Sequence, residues 1–245
     1  MASRVHGQPA FLLHQRPFRD TSLLLDVFSR EHGRLALVAR GARGGKSKLK
    51  GALRPFMPLK LSWVMKTDLG TLTGAELDSG PLALLGDSLL SGYYLNELIL
   101  NFLHRHDAQP EVYSAYATAI DHLAATRQPA PVLREFELEL LALLGYALNL
   151  DHDAVSGAPL EPVRHYEFRP DQGPVAVGRE SGPRIFTGDL LVAIGARRFD
   201  EPDVLTAAGR LLRDVVAHHL GGKELKSRKV LVDLHRSRAK MSGQS

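Results

Sequence analysis

The sequence predicts an α+β fold in two parts. Residues 1–80 read as a small five-stranded β-barrel, and residues 81–241 as a mostly α-helical domain with an irregular, partly β insertion at about 149–187. Three observations predict this. Short apolar runs separated by turn signals crowd the first 80 residues. After Gly80-Pro81 the apolar spacing lengthens to that of helices. From 149 to 187 the chain gathers Gly157, Gly173, Gly178 and Gly182 with Pro159, Pro162, Pro170 and Pro174, a composition that breaks regular elements.

The strands come in order. Phe11-Leu12-Leu13-His14 is an apolar run ending near Pro17, and Thr21 to Phe28 is rich in Leu and Val. Arg30-Glu31-His32-Gly33 is a hairpin-like turn in which Gly33 is free to take a positive φ. Arg34 to Arg40 alternates polar and apolar residues. Leu53 to Met65 sets Leu59, Leu61, Trp63 and Met65 against Lys60, Ser62, Val64 and Lys66, so one face is apolar. Gly70 to Leu77 is the fifth strand. Five short strands, with a Gly/Lys-rich loop after the third, suggest an OB-like barrel.

Helices follow. Leu82 to His106 carries Leu85, Leu89, Tyr93, Leu95, Leu98, Ile99 and Phe102 at helical spacing. Pro110 introduces Glu111 to Arg127. Pro129 and Pro131 introduce Val132 to about Leu148, where Leu133, Phe136, Leu140, Leu144 and Ala147 form one stripe. Proline in a first turn is tolerated because its missing N–H had no intrahelical partner. Within the insertion, short strands are expected around His165–Phe168 and Val175–Val177. Helices then run over Gly188–Arg198, Asp203–Leu220 and Glu224 to about Arg236, with Gly221-Gly222 stopping the middle one.

Composition sets limits. Apolar residues make up 44% and charged residues 24%, the balance of a chain able to build a core. The absence of cysteine excludes disulfides, thiolate zinc sites and a cysteine nucleophile. Met1 to Gln8 lacks a signal-peptide apolar core, and no run approaches the roughly 18 apolar residues of a membrane span, so a cytoplasmic setting is expected.

Charge is segregated. Between His32 and Thr67 there is no acidic residue but nine basic ones: Arg34, Arg40, Arg43, Lys46, Lys48, Lys50, Arg54, Lys60 and Lys66. The net charge of +4 hides this, because the remainder of the chain is net acidic. Gathered on one face, these cations are an electrostatic footprint for a polyanion; a solvated basic loop is the plainer alternative. The loop Gly41-Ala42-Arg43-Gly44-Gly45-Lys46-Ser47 resembles a nucleotide phosphate loop but misses its spacing by one residue. Gly51, Pro55 and Pro58 also interrupt the helix that should follow. Its glycines suit close approach to a phosphodiester, and Lys46, Lys48 and Lys50 would project to one side of an extended segment. Phe11, Phe18, Phe28, Phe56 and Trp63 are expected to fill the barrel core for the most part, with one or two left to stack on bases.

A second basic cluster, Lys223, Lys226, Arg228, Lys229, Arg236, Arg238 and Lys240, is opposed only by Glu224 and Asp233. It is either a second contact surface or an ordinary basic helix end. Arg134 stands beside the apolar Leu133 and Phe136 and could hold a carboxylate. The eleven histidines show no ligand spacing, and Asp151-His152-Asp153 reads as a polar turn. No Ser-His-Asp order, paired carboxylates or His-Glu-x-x-His motif supports catalysis, so the chain is not expected to be an enzyme.

With these segments in hand, the chain resembles the bacterial RecO family of recombination mediators and DNA repair proteins. The matching stretches are Thr21-Ser22-Leu23-Leu24-Leu25-Asp26-Val27-Phe28, Ala39-Arg40-Gly41-Ala42-Arg43 and Leu49-Lys50-Gly51-Ala52-Leu53-Arg54-Pro55-Phe56. They continue with Tyr93-Tyr94-Leu95-Asn96-Glu97-Leu98, Arg134-Glu135-Phe136-Glu137-Leu138, Leu144-Gly145-Tyr146 and Leu220-Gly221-Gly222-Lys223-Glu224-Leu225-Lys226-Ser227-Arg228. Spread in the family's order over nearly the whole chain, they are specific together.

The resemblance implies an N-terminal OB-fold before a helical domain, binding of single- and double-stranded DNA, strand annealing, and help in loading a recombinase onto DNA coated by single-stranded-DNA-binding protein. It implies RecR and the acidic C-terminal tail of that coating protein as partners, with a nucleoid-associated cytoplasmic location and no membrane. Carried over by position, Arg34, Arg40, Arg43, Lys46, Lys48, Lys50, Arg54 and Lys60, with Lys223, Lys226 and Arg228, would contact DNA. Arg134, with Leu133 and Phe136, would receive the tail's carboxylate. Many members hold zinc through four cysteines in the section corresponding to about 149–180; this chain has none, so no cofactor or metal is expected. An adaptor that grips acidic protein tails without touching DNA is the alternative from another class.

Overall fold

The computed structural model describes residues 3–44, 49–78, 84–227 and 229–230. The fold is α+β. Five strands, β1 (Ser3–Phe18), β2 (Ser22–Ser29), β3 (Gly33–Ala39), β4 (Pro58–Met65) and β5 (Leu69–Leu77), pair in the order β1-β2-β3-β5-β4. β4 also pairs with β1, which returns the sheet on itself. β3 and β5 meet in parallel through Ala36–Val38 and Leu69–Thr71; the other pairings are antiparallel.

β1 begins well before the apolar run that signals it. Ser3 to Phe11 pair with β4 and Ala10 to Phe18 with β2, so the strand bridges two neighbours, with register shifts at Val5/Gln8 and Leu12/His14. The polar half is therefore extended by its partner rather than by its own pattern. The interior holds Ala10, Leu12, Leu25, Val27, Leu35, Leu37, Leu59, Leu61, Trp63 and Leu72. The alternation of Leu59, Leu61 and Trp63 against exposed Lys60 is as the sequence predicts. The expected strand start at Leu53 is displaced. Residues Leu49–Ala52 form a short helix, α1, and the chain does not become extended until Pro58. Pro55 and Pro58 cannot donate to a ladder, which fits their place before the strand and at its first residue.

Among the described residues the chain packs as two compact units, one running to Arg127 and joined by the segment from Leu225, the other running from Gln128 to Glu224. In the first unit, helices α2 (Gly86–Phe102) and α3 (Pro110–Ala125) pack on the barrel's outer face. Phe11 and Phe28 meet Tyr113 and Tyr116 of α3, with ring centroids 5.0–6.3 Å apart. Buried Asn96 of α2 donates to the Leu13 carbonyl (2.8 Å) and accepts from the Tyr116 hydroxyl (2.5 Å). The β2–β3 turn uses Gly33 at φ +64, as expected. A Cβ there would lie 2.0 Å from the Asp107 main-chain oxygen, so the site excludes side chains twice over.

The second unit holds α4 (Pro129–Leu143), a sheet ordered β7-β6-β8 from β6 (His165–Arg169), β7 (Gly173–Ala176) and β8 (Ile185–Thr187), then α5 (Gly188–Gly195) and α6 (Pro202–His219). α6 packs on α4 and α5. α4 ends five residues before the expected Leu148, and Ala147 is exposed, so the predicted stripe stops short. Gly221 and Gly222, at φ +63 and +80, end α6 as predicted, with the Gly222 N–H on the Ala217 carbonyl (2.8 Å). Most of the helix expected over Glu224 to Arg236 lies outside the described residues. Among the described residues no helix is long and apolar enough to cross a membrane.

Candidate nucleic-acid interface

The basic segment is anchored at both ends. Buried Ala42 on one side, and Leu53 and Met57 on the other, belong to the barrel's core cluster. The polar stretch between them is thereby tied at the barrel, and α1 within it packs on β5. Arg40 before the stretch, Arg43 at its start and Arg54 after it are exposed and form no ion pair among the described residues. The backbone at Lys50 lies in α1. Lys46 and Lys48, with Gly45 and Ser47 of the glycine loop, lie outside the described residues.

The loop is also tied to the β1–β2 turn. The Arg43 N–H donates to the Thr21 carbonyl (2.9 Å), and its guanidinium reaches the main-chain oxygens of Asp20 (3.3 Å) and Arg19 (3.5 Å). Exposed Arg19, with a φ of +51 and its guanidinium 5.3 Å from the Phe18 ring, therefore joins Arg40 and Arg43 at one edge. Arg16, three residues back on β1, is exposed too. Asp20 is the single carboxylate in the two touching turns, 19–21 and 40–44. The sequence reading missed Arg16 and Arg19 because they precede the acid-free stretch. The signal was the hairpin, whose register sets Leu23 opposite Ala39.

Two of the expected contacts are engaged elsewhere. Arg34 does not reach out to solvent. Its Nη1 donates to the main-chain oxygens of Leu100 and Leu103 (2.8 Å to the latter), at the C-terminal end of α2, and burial pushes its pKa down. Lys60 forms an ion pair with Asp78 (2.6 Å) and faces Glu76 across the β4–β5 ladder, so neighbouring acids balance its charge. The hydrogen bond to Asp78 raises its pKa. Of the aromatics expected mostly to fill the barrel core, Phe11, Phe28, Phe56 and Trp63 are buried and Phe18 is half-buried, but only Trp63 belongs to the barrel's interior, the other three buried rings packing against α2 and α3.

In the C-terminal cluster, Lys223 is exposed after the Gly221-Gly222 turn, Lys226 and Lys229 are exposed, and Arg228 lies outside the described residues. Leu225 is buried. The main-chain N–H groups of Lys226 (2.9 Å) and Ser227 (2.8 Å), and the Ser227 hydroxyl (2.5 Å), all donate to the Glu97 carboxylate on α2.

The expected carboxylate receiver is also occupied. Arg134, whose side chain is 12% exposed, pairs through Nη2 with the fully buried Glu137 carboxylate of its own helix (3.0 Å). Leu133 and Phe136 lie in the core rather than forming an open apolar ledge. The i,i+3 spacing that brings Arg134 and Glu137 together was legible but unused.

Section 149–180 does not fit a four-thiolate zinc site, since the chain has no cysteine. Asp153 is committed to the main chain instead. Its Oδ1 accepts the Val155 N–H (2.9 Å), the Ser156 N–H (2.8 Å) and the Ser156 hydroxyl (3.0 Å), and its Oδ2 accepts the Ala176 N–H (2.9 Å). These donors hold its pKa down at about 2. The polar-turn reading of Asp151-His152-Asp153 describes this arrangement.

Comparison with known proteins decides the family. The family description Recombination protein O N terminal matches residues 1–80, and Recombination protein O C terminal matches residues 86–229. The chain belongs to the RecO family. Curated RecO relatives agree along its length. "DNA repair protein RecO" of Photobacterium profundum is 43% identical over 225 residues, covering 92% of this chain and 95% of that one. The protein of the same name from Aliivibrio salmonicida is 42% identical over 230 residues, covering 94% and 97%. That from Aromatoleum aromaticum is 42% identical over 232 residues, with the same coverage.

Proposed function

We propose that this chain acts in DNA repair and homologous recombination as a non-enzymatic mediator that binds single- and double-stranded DNA, anneals complementary strands and assists recombinase loading on DNA coated by single-stranded-DNA-binding protein. The observation that carries the reading is the edge where Arg19, Arg40 and Arg43 meet across two hydrogen-bonded turns, continued by Arg54, all exposed and without ion pairs among the described residues. Cations in that state are available to phosphates, and each phosphate they neutralise releases counterions. Neutralising two strands together lowers their repulsion, which is the physical content of annealing. Lys226 and Lys229 add to the basic surface. Arg34 and Lys60 do not belong to it.

Family membership supports RecR and the acidic tail of the coating protein as partners. A tail carboxylate at Arg134 would have to displace Glu137 from Nη2 or open the packing over Nε, which is buried and has no hydrogen-bond partner among the described residues. That unsatisfied buried donor is the one observation that keeps the tail-gripping adaptor as a second reading. An anisotropy titration against single- and double-stranded oligonucleotides over a salt series separates the two. The DNA-binding reading expects affinity to fall by about 0.7 log units per log salt for each phosphate contacted on single strands. Absence of oligonucleotide binding at low salt, with acidic peptide still bound, would favour the adaptor.

A further inference from the structure

The face of α2 that carries Tyr93 and Glu97 lies between the two basic segments. Tyr93 is 44% exposed. Its ring stands edge-on to Phe56, with centroids 5.0 Å apart at 75°. Phe56, at φ +67, is buried against the same helix, and Gly92 makes room for it, since a Cβ there would meet Phe56 Cε1 at 2.8 Å. Exposed Arg54 is two residues from Phe56. One helical turn beyond Tyr93, about 6 Å along the axis and on the same face, Glu97 holds the segment that presents Lys226 and Lys229. The negative charge of Glu97 is directed at main-chain N–H groups and a hydroxyl.

We propose that Tyr93 is a base-stacking platform for single-stranded DNA, set between cations of the Arg54 loop and a C-terminal basic segment docked by Glu97. The proposal rests on the DNA-binding reading above and adds what that reading lacks, a group that distinguishes unpaired bases from duplex. An aromatic ring fixed by a buried neighbour, exposed and flanked by cations, combines the two parts of sequence-tolerant single-strand sites, a stacking surface and backbone neutralisation. A duplex hides its base faces and gains nothing from the ring. Glu97 acts as a positioning residue, since it binds the segment and not the strand.

The test uses the full chain and fluorescence anisotropy with an oligothymidylate, an abasic oligonucleotide of equal length and a duplex. Tyr93→Leu is expected to weaken oligothymidylate binding about fivefold or more while leaving the abasic strand and the duplex unchanged, and Tyr93→Phe to retain wild-type affinity. Equal binding of oligothymidylate by Tyr93→Leu and wild type, or an equal loss on the abasic strand, overturns the stacking role. Lys226→Glu is expected to weaken binding in the wild-type background but not beside Glu97→Ala; identical losses in both backgrounds overturn the dock. A wild-type chain that binds no oligonucleotide overturns the DNA-binding reading itself, whereas wild-type binding with an unaffected Tyr93→Leu variant overturns only this proposal.

Discussion

Arg34 donates to the main-chain oxygen of Leu103 at 2.8 Å, and the same nitrogen reaches the Leu100 oxygen. These carbonyls belong to the last turn of α2 and its cap, where no intrahelical N–H remains to satisfy them. The first cation of the acid-free stretch thus closes a helix end, where positive charge is favoured. Arg34→Ala is expected to lower stability by about 2–3 kcal/mol, because it strands two acceptors and removes a charge-assisted bond. Denaturant unfolding measures this, and the folded variant should keep its oligonucleotide affinity.

Tyr116 and Asn96 make a buried pair on the outer face of the barrel. Tyr116→Phe leaves the Asn96 oxygen without that donor and is expected to cost about 1–3 kcal/mol. Burial also pushes the pKa of Tyr116 up, and that of Tyr113 up to about 12. A tyrosine whose folded pKa exceeds its unfolded value of about 10 contributes stability below pH 10 that is lost as the pH rises towards 12. Unfolding measured across that window should show the decline, and Tyr113→Phe should make it shallower, Tyr116 contributing the remainder.

Asp153 predicts the opposite branch. Its folded pKa of about 2 lies below the ordinary 3.8, so its contribution is present above about pH 4 and is lost as the pH falls towards 2. Asp153→Asn turns an acceptor into a donor facing main-chain N–H groups. It should remove this acid dependence and speed hydrogen exchange at Ala176, which an exchange experiment read at that amide would detect.

Arg134→Ala leaves the Glu137 carboxylate buried without its guanidinium, at an expected cost of about 3–5 kcal/mol. Loss of peptide capture in that variant alone would therefore not distinguish a binding role from unfolding. Replacing both, Arg134→Met with Glu137→Leu, should recover most of the stability. If the tail carboxylate binds Arg134, the folded double variant should hold an acidic C-terminal peptide at least fivefold more weakly by anisotropy.

The legible parts of this molecule are those whose cause is local. Leu59, Leu61 and Trp63 announced their face by alternation, Gly33 its turn, and Gly221-Gly222 a helix stop. What escaped depends on distant partners. Ser3 to Gln8 become a strand through pairing with β4, and β8 is three residues that pair with β6. Charge counting found the acid-free stretch but could not tell Arg40, which faces solvent, from Arg34, whose acceptors lie more than 60 residues away. Nor could it add Arg19 of the β1–β2 turn, which the β2–β3 pairing brings beside Arg43. For Arg134 the carboxylate was nearby in sequence, yet its burial depends on how the helix packs.

The most direct test of the central claim is the salt dependence of single-strand affinity in a chain carrying Arg40→Ala, Arg43→Ala and Arg54→Ala. If these three arginines neutralise phosphates, the log–log slope should shrink by about 2, at roughly 0.7 for each contact, with affinity at least tenfold weaker at low salt and the fold intact by circular dichroism. An unchanged slope in the folded variant would contradict the account.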